Sequence, residues 1–93
     1  MYVAKPTKRY RKSLKHASKY PSFHADELDD IVIRLCRGDA LDARHRDHEL
    51  KGEYRGIREC HIRGDLLLLY QKQRDMLILL LVDIGTHASV FGE

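Results

Sequence analysis

The 93-residue chain is 43% hydrophobic and 33% charged, enough for one packed domain and little else, which sets aside a multi-domain enzyme and a disordered polypeptide. Its formal charge of +3 is unevenly spread: Lys5, Lys8, Arg9, Arg11, Lys12, Lys15 and Lys19 fall in the first 20 positions, where there is no acid, and Asp26, Glu27, Asp29 and Asp30 follow. The longest apolar run, Met76 to Val82, has seven residues against about 18 for a membrane span, and no secretory leader is visible, so the cytoplasm is the expected compartment.

Tyr2-Val3-Ala4 reads as a short leading strand stopped by Pro6. From Thr7 to about Ala17, Tyr10, Leu14 and Ala17 recur at helical spacing, with Lys and Arg on the other faces. That basic stripe suits a phosphate backbone or an acidic partner, and suits equally a solvated helix face. Pro21-Ser22 interrupts, and Ser22 is the expected N-cap of a second helix, with Asp26 and Glu27 near its positive end. Leu28, Ile31, Val32 and Leu35 form an i, i+3, i+4, i+7 stripe, and Gly38 fits its C-terminus. Residues 39–53 lack periodicity and read as a connecting loop. Tyr54 to Ile62, Leu66 to Gln71 and Met76 to Ile84 are rich in branched and aromatic residues and read as strands of an antiparallel sheet. Gly85-Thr86 breaks the third, and Ala88 to Phe91 reads as a short terminal strand. The expected architecture is one α+β domain over residues 1–93: two N-terminal antiparallel helices packed on one face of a small, mainly antiparallel sheet.

Around His61-Ile62-Arg63-Gly64-Asp65 two hairpins compete. A three-residue loop ending on Gly64, the favoured reading, sets His61 opposite Asp65; a two-residue Arg63-Gly64 loop pairs His61 with Leu66. Alternation puts Arg55, Ile57, Glu59 and His61 on one face and Tyr54, Arg58 and Cys60 on the other. A face with Arg, Glu, His and Asp together is costly to bury and is expected to line a solvent-open cleft. In an extended tail His87, Ser89 and Phe91 point the same way, joining an imidazole to an aromatic ring. His48 ends the charged loop, and His16, His24 and His45 are expected on the surface. Cys36 and Cys60 are isolated, predicted to be reduced thiols; His45-x-x-His48 is the sole close ligand pair, too sparse for zinc, so no metal and no other cofactor is expected.

The pattern Asp47-His48-x-Leu50-x-Gly52, Tyr54-x-Gly56-x-Arg58-x-x-His61-x-x-x-Asp65, Leu68-x-Tyr70 and Gly85-Thr86-His87-Ala88-x-x-Phe91-Gly92 resembles the YafQ branch of the RelE-like toxins of bacterial toxin–antitoxin pairs. The N-terminal half matches mainly as a pattern of elements. The resemblance implies a RelE-like fold and an endoribonuclease that cuts messenger RNA in the ribosomal A site. It implies that His48, His61, Asp65 and His87 are catalytic and that Phe91 helps position the nucleotide. Glu59 stands where the family often has an acid, whereas Leu66 replaces the aromatic residue common after the aspartate, which weakens any stacking role there. It also implies a cognate antitoxin with an acidic, partly disordered segment, contact of the basic helix with ribosomal RNA, and operator DNA bound chiefly through the antitoxin.

The chemistry suits these side chains. RNA carries its own nucleophile, the 2′-hydroxyl, so cleavage needs a base, an acid for the departing 5′-oxygen and positive charge for the phosphorane, and no metal-activated water. Imidazole, with an ordinary pKa of about 6.5, serves as either base or acid. The assignment places His87 as acid, His48 or Asp65 as base, His61 as orienting or charge-stabilising group, and Arg55 and Lys51 on phosphates. Rival readings are a non-catalytic nucleic-acid-binding protein, an inactive RelE-fold interaction partner and a metal-dependent nuclease.

Overall fold

The computed structural model describes residues 1–92. Its elements are β1 (Val3–Pro6), α1 (Lys8–Ala17), α2 (Ala25–Arg37), β2 (His48–Glu49), β3 (Arg58–Arg63), β4 (Leu66–Gln73), β5 (Ile78–Gly85) and α3 (His87–Phe91). Two 3-10 turns, Ala43–His45 and Gly52–Tyr54, flank β2. The five strands form one mixed sheet in the order β1-β5-β4-β3-β2, with β1 parallel to β5 and the other pairs antiparallel.

β1 ends at Pro6, which has no N–H to continue a ladder, and Thr7 caps α1: its Oγ1 accepts from the Tyr10 N–H at 3.0 Å and its hydroxyl points at the Leu81 and Val82 carbonyls. α2 ends on Gly38 at φ +82°, as its position predicts. Its N-cap, however, is His24 with no side-chain bond; Ser22 lies two residues too early. Tyr10 and Ala17 from α1 and Leu28, Ile31 and Leu35 from α2 share one core with Cys60, Leu68, Tyr70 and Leu79 of the sheet. Both helices therefore cover one face. The antiparallel helix pair is not what holds them, since α1 lies along β5 while α2 meets β1 and β3. Burying such side chains stabilises by about 1.5–3 kcal/mol each.

Several strand boundaries move. Residues 52–54 form a 3-10 turn and β3 begins only at Arg58, so Arg55 and Ile57 precede the ladder. The loop of residues 39–53 contains both 3-10 turns and β2. Met76 and Leu77 belong to the β4–β5 turn, Leu77 at φ +55° and half exposed. The segment after Gly85 is helix, not strand. Thr86 Oγ1 accepts from the Ser89 N–H at 3.2 Å and Gly92 closes α3 at φ +72°. Gly85 itself, at φ +155°, leaves no room for a Cβ beside the Ser89 hydroxyl.

Candidate active site

On the face away from α1 and α2 a smaller core of Leu67, Leu69 and Val90 forms, packed by Leu50, Ile57, Val82 and Phe91. α3 thus lies over β4 and β5. Along β3, Cys60 and Ile62 enter the helix-side core while Glu59 and His61 leave on this second face, as alternation demands. Their Cα atoms are two residues, roughly 7 Å, apart along the strand.

His48 pairs with Glu59 across β2 and β3. Its Nε2 lies 3.1 Å from Glu59 Oε2, and its Nδ1–H donates to the Arg46 carbonyl at 2.5 Å. The imidazole side chain is 50% exposed and the carboxylate behind it 8%. Glu59 is therefore not part of an open cleft; it is roofed by His48. With Nδ1 committed to a carbonyl, one proton remains to be shared between Nε2 and the carboxylate. Both ring nitrogens are thus engaged, and the pair can exchange a proton with a ligand only when Nε2 turns away from the carboxylate.

His61 occupies the other end of the row. The hairpin is neither of the two anticipated: Arg63 pairs with Leu66 across a two-residue Gly64–Asp65 turn, and His61 pairs with Leu67. Gly64, at φ +56°, takes the first central position, where a turn of this length needs positive φ, and Ile62 is the bulge residue. Asp65 is consequently exposed at the turn tip and not opposite His61. The His61 Nδ1–H instead donates to the Gly64 carbonyl at 3.1 Å, which leaves Nε2 to face outward.

His87 and Phe91 meet after all, with ring centroids 4.7 Å apart, because i and i+4 share a helix face. Phe91 also meets Tyr54 edge-on at 5.1 Å, so the second 3-10 turn closes onto α3. Lys51 and Arg55 bracket that turn and are exposed. Across the sheet, His61, Leu67 and Gly85 lie in one row, so the β3 and β5 ends that carry the His61 and His87 segments are two strand spacings, about 10 Å, apart. His48, Glu59, His61, His87 and Phe91 thus belong to one side of the molecule; Asp65 sits at its rim.

His61 also lines a cleft of ≈ 550 Å³ with Arg44, Arg46 and Arg63, tempered by Glu27 and Asp30. Arg63 grips Glu27 in a fork at 2.7–3.1 Å, a bond that holds the Glu27 carboxyl below its usual range. His16 and His24 are exposed as expected, but His45 is buried and its Nδ1–H donates to the His61 carbonyl at 2.6 Å. Sequence reading missed that role and the partnership of Tyr54 with Phe91; neither has a local signal, since both depend on chain brought in from another element. Both cysteines are free. Among the described residues no group of three or more His, Cys, Asp or Glu is placed to hold a metal ion, and no helix is long and apolar enough to cross a membrane.

Comparison with known proteins bears on what this face does. The family model described as the bacterial toxin of type II toxin–antitoxin system, YafQ, matches residues 2–92. The mRNA interferase toxin YafQ of Escherichia coli is 42% identical over 87 residues, 90% of this chain and 89% of that one. A putative toxin YafQ of Haemophilus influenzae aligns over 31 residues at 55% identity, 33% of this chain and 30% of that protein. Among solved structures, a metal-bound toxin from Helicobacter pylori superposes with a TM-score of 0.89 at 35% identity, over 98% of this chain and all of that one. A chain of the E. coli DinJ-YafQ complex does so with a TM-score of 0.85 at 26% identity, over 99% of this chain and all of that one.

Proposed function

The chain belongs to the YafQ toxins of bacterial type II toxin–antitoxin systems, and we propose that it acts as a metal-independent endoribonuclease that cuts translated messenger RNA on the ribosome and is neutralised by a cognate antitoxin. The observation that carries the chemistry is the exposed His48 ring backed by the buried Glu59 carboxylate. Turned from Glu59 toward the substrate, His48 Nε2 can take the proton of a 2′-hydroxyl and pass it back to the Glu59 carboxylate behind it. The 2′-oxygen then attacks the adjacent phosphorus, its O–P bond forms, and the P–O5′ bond breaks. The leaving 5′-oxygen takes a proton from His87, whose neighbour Phe91 offers a ring on which a base can stack. His61, with its Nδ1 tied to Gly64, presents Nε2 to the phosphorane oxygens. Lys51, Arg55 and the arginines of the adjoining cleft supply positive charge to the flanking phosphates. Asp65, at the turn tip, is the weaker candidate for the base.

The exposed cations of α1 provide the ribosomal RNA contact in this reading. The DinJ-YafQ complex supports an antitoxin partner by analogy; operator DNA would be met only through that complex, in the cytoplasm.

The test is His87→Ala. It should lower mRNA cleavage on programmed ribosomes by about 10²–10⁴-fold, the usual worth of a positioned general acid. Because His87 is exposed, melting should stay where it was. A variant that cleaves and arrests growth like the parent overturns the assignment, and parental activity that vanishes with a transition-metal chelator overturns metal independence.

A further inference from the structure

β2 is the outermost strand and holds His48 by two residue pairs only, both residues exposed. Such an edge frays unless something else fastens it. The residue before His48 does. Asp47 leaves the strand on the opposite side of the sheet, where its Oδ1 accepts from the Tyr70 hydroxyl at 2.5 Å and from Arg58 Nε–H at 3.2 Å. Tyr70 is fully buried in the helix-side core, and Arg58 pairs with it across β3 and β4. Burial first, then the Asp47 carboxylate, push the Tyr70 phenol above its ordinary range, so it stays protonated and donating.

We propose that Tyr70 and Arg58 are positioning residues for His48, acting through the Asp47 carboxylate as a peg driven through the sheet. The ring's geometry depends on this peg from both sides. Asp47 lies between Arg46, whose left-handed backbone (φ +47°) aims its carbonyl at His48 Nδ1, and His48 itself. If Asp47 slips, the Nδ1 acceptor and the ring shift relative to one another, and the distance to Glu59 changes with them. The bonds are charge-assisted and shielded by the core, the setting in which such bonds are strongest. They lie on the helix side of the sheet, opposite His48 and Glu59, so their loss should leave substrate binding alone. The proposal rests on the reading of His48 as part of the proton-transfer pair.

The experiment compares Tyr70→Phe, Asp47→Ala and Asp47→Asn in the full chain with the parent, using a defined message on purified ribosomes. A loosened ring should slow the cleavage step about tenfold in Tyr70→Phe and more in Asp47→Ala, with KM within about twofold. Asp47→Asn keeps an acceptor oxygen and should retain a rate within about threefold of the parent. Nitrogen-15 spectra of the histidine rings give a second, activity-free readout: the bonded His48 Nδ1–H signal should broaden or vanish in the first two variants and persist in the third. Parental kcat together with an unaltered His48 ring signal in Asp47→Ala overturns the proposal. Should the parent itself fail to cut RNA, the nuclease reading fails, and the ring signals alone decide the role of the peg.

Discussion

Replacing Arg9 by methionine keeps its aliphatic stem on α1 but removes the guanidinium that serves two distant elements at once. Arg9 Nε lies 2.8 Å from Asp83 Oδ2, and an NH2 group donates to the Val90 carbonyl at 2.7 Å, so one side chain ties α1 to β5 and to α3. The Asp83 side chain is 2% exposed and Arg9 56%. Once Arg9 is gone, the carboxylate keeps, among the described residues, the bond from the Ile84 N–H at 2.9 Å. Removing one partner of a buried pair costs about 3–5 kcal/mol, and the half-exposed Arg9, already screened by water, places this case near about 3 kcal/mol. A domain of this size is stable by roughly 5–14 kcal/mol, so the loss is large, and melting should fall by about 12 °C or more. Urea unfolding of Arg9→Met, Asp83→Asn and the double variant would measure it. In the Arg9→Met background, Asp83→Asn removes the uncompensated charge and should return more than about 1 kcal/mol. If Arg9→Met lies within about 0.5 kcal/mol of the parent, the margin for an inconsequential surface change, the burial argument for Asp83 is wrong.

Glu59→Gln keeps the shape behind His48 but cannot take a proton, and should depress cleavage by about 10²-fold or more with unchanged KM; a parental rate assigns the base elsewhere. Burial, aided by Asp47 and Glu59, pushes the Cys60 thiol up to about 12, and burial with Asp29 does the same to Tyr10. Both pKa values are raised in the folded state, so the stability they lend is whole below the thiol's ordinary 9.0 and drains as pH climbs toward about 12. Alkaline unfolding followed by circular dichroism should therefore be shallower in Cys60→Ala over that window, and an identical slope refutes the assignment. Leu77, half exposed at φ +55°, holds a strained backbone for little burial, and Leu77→Gly should raise the free energy of unfolding by up to about 1 kcal/mol; a lower value in urea unfolding would show that its side chain matters more than its backbone.

The helices α1 and α2 and Gly38 as a C-terminal stop were legible because a 3.6-residue repeat is written locally, and the three long strands because runs of branched and aromatic residues stand between short polar breaks. Shorter elements were not. β2 has two residues and α3 five, too few to show a period, although Thr86 and Gly92 bracket α3 with the residues a helix wants at its ends. The hairpin at Gly64 was misjudged because one glycine serves equally well at either end of a short loop, and only the pairing of Arg63 with Leu66 chooses.

Composition and pattern alone determined that this is a small α+β protein with a basic first helix, because hydrophobic repeats are written locally; that His48, His61 and His87 form one group was implied only by the family resemblance of the residues around them. Tertiary structure decided what lies behind each ring: Glu59 sealed beneath His48, Asp47 pegged to Tyr70, His45 spent on a carbonyl, Asp65 left at the rim. Those partners come from strands and turns far apart in the chain. A hydrogen bond or a buried charge is settled only when the packed sheet brings both ends together and excludes the water that would otherwise replace one of them.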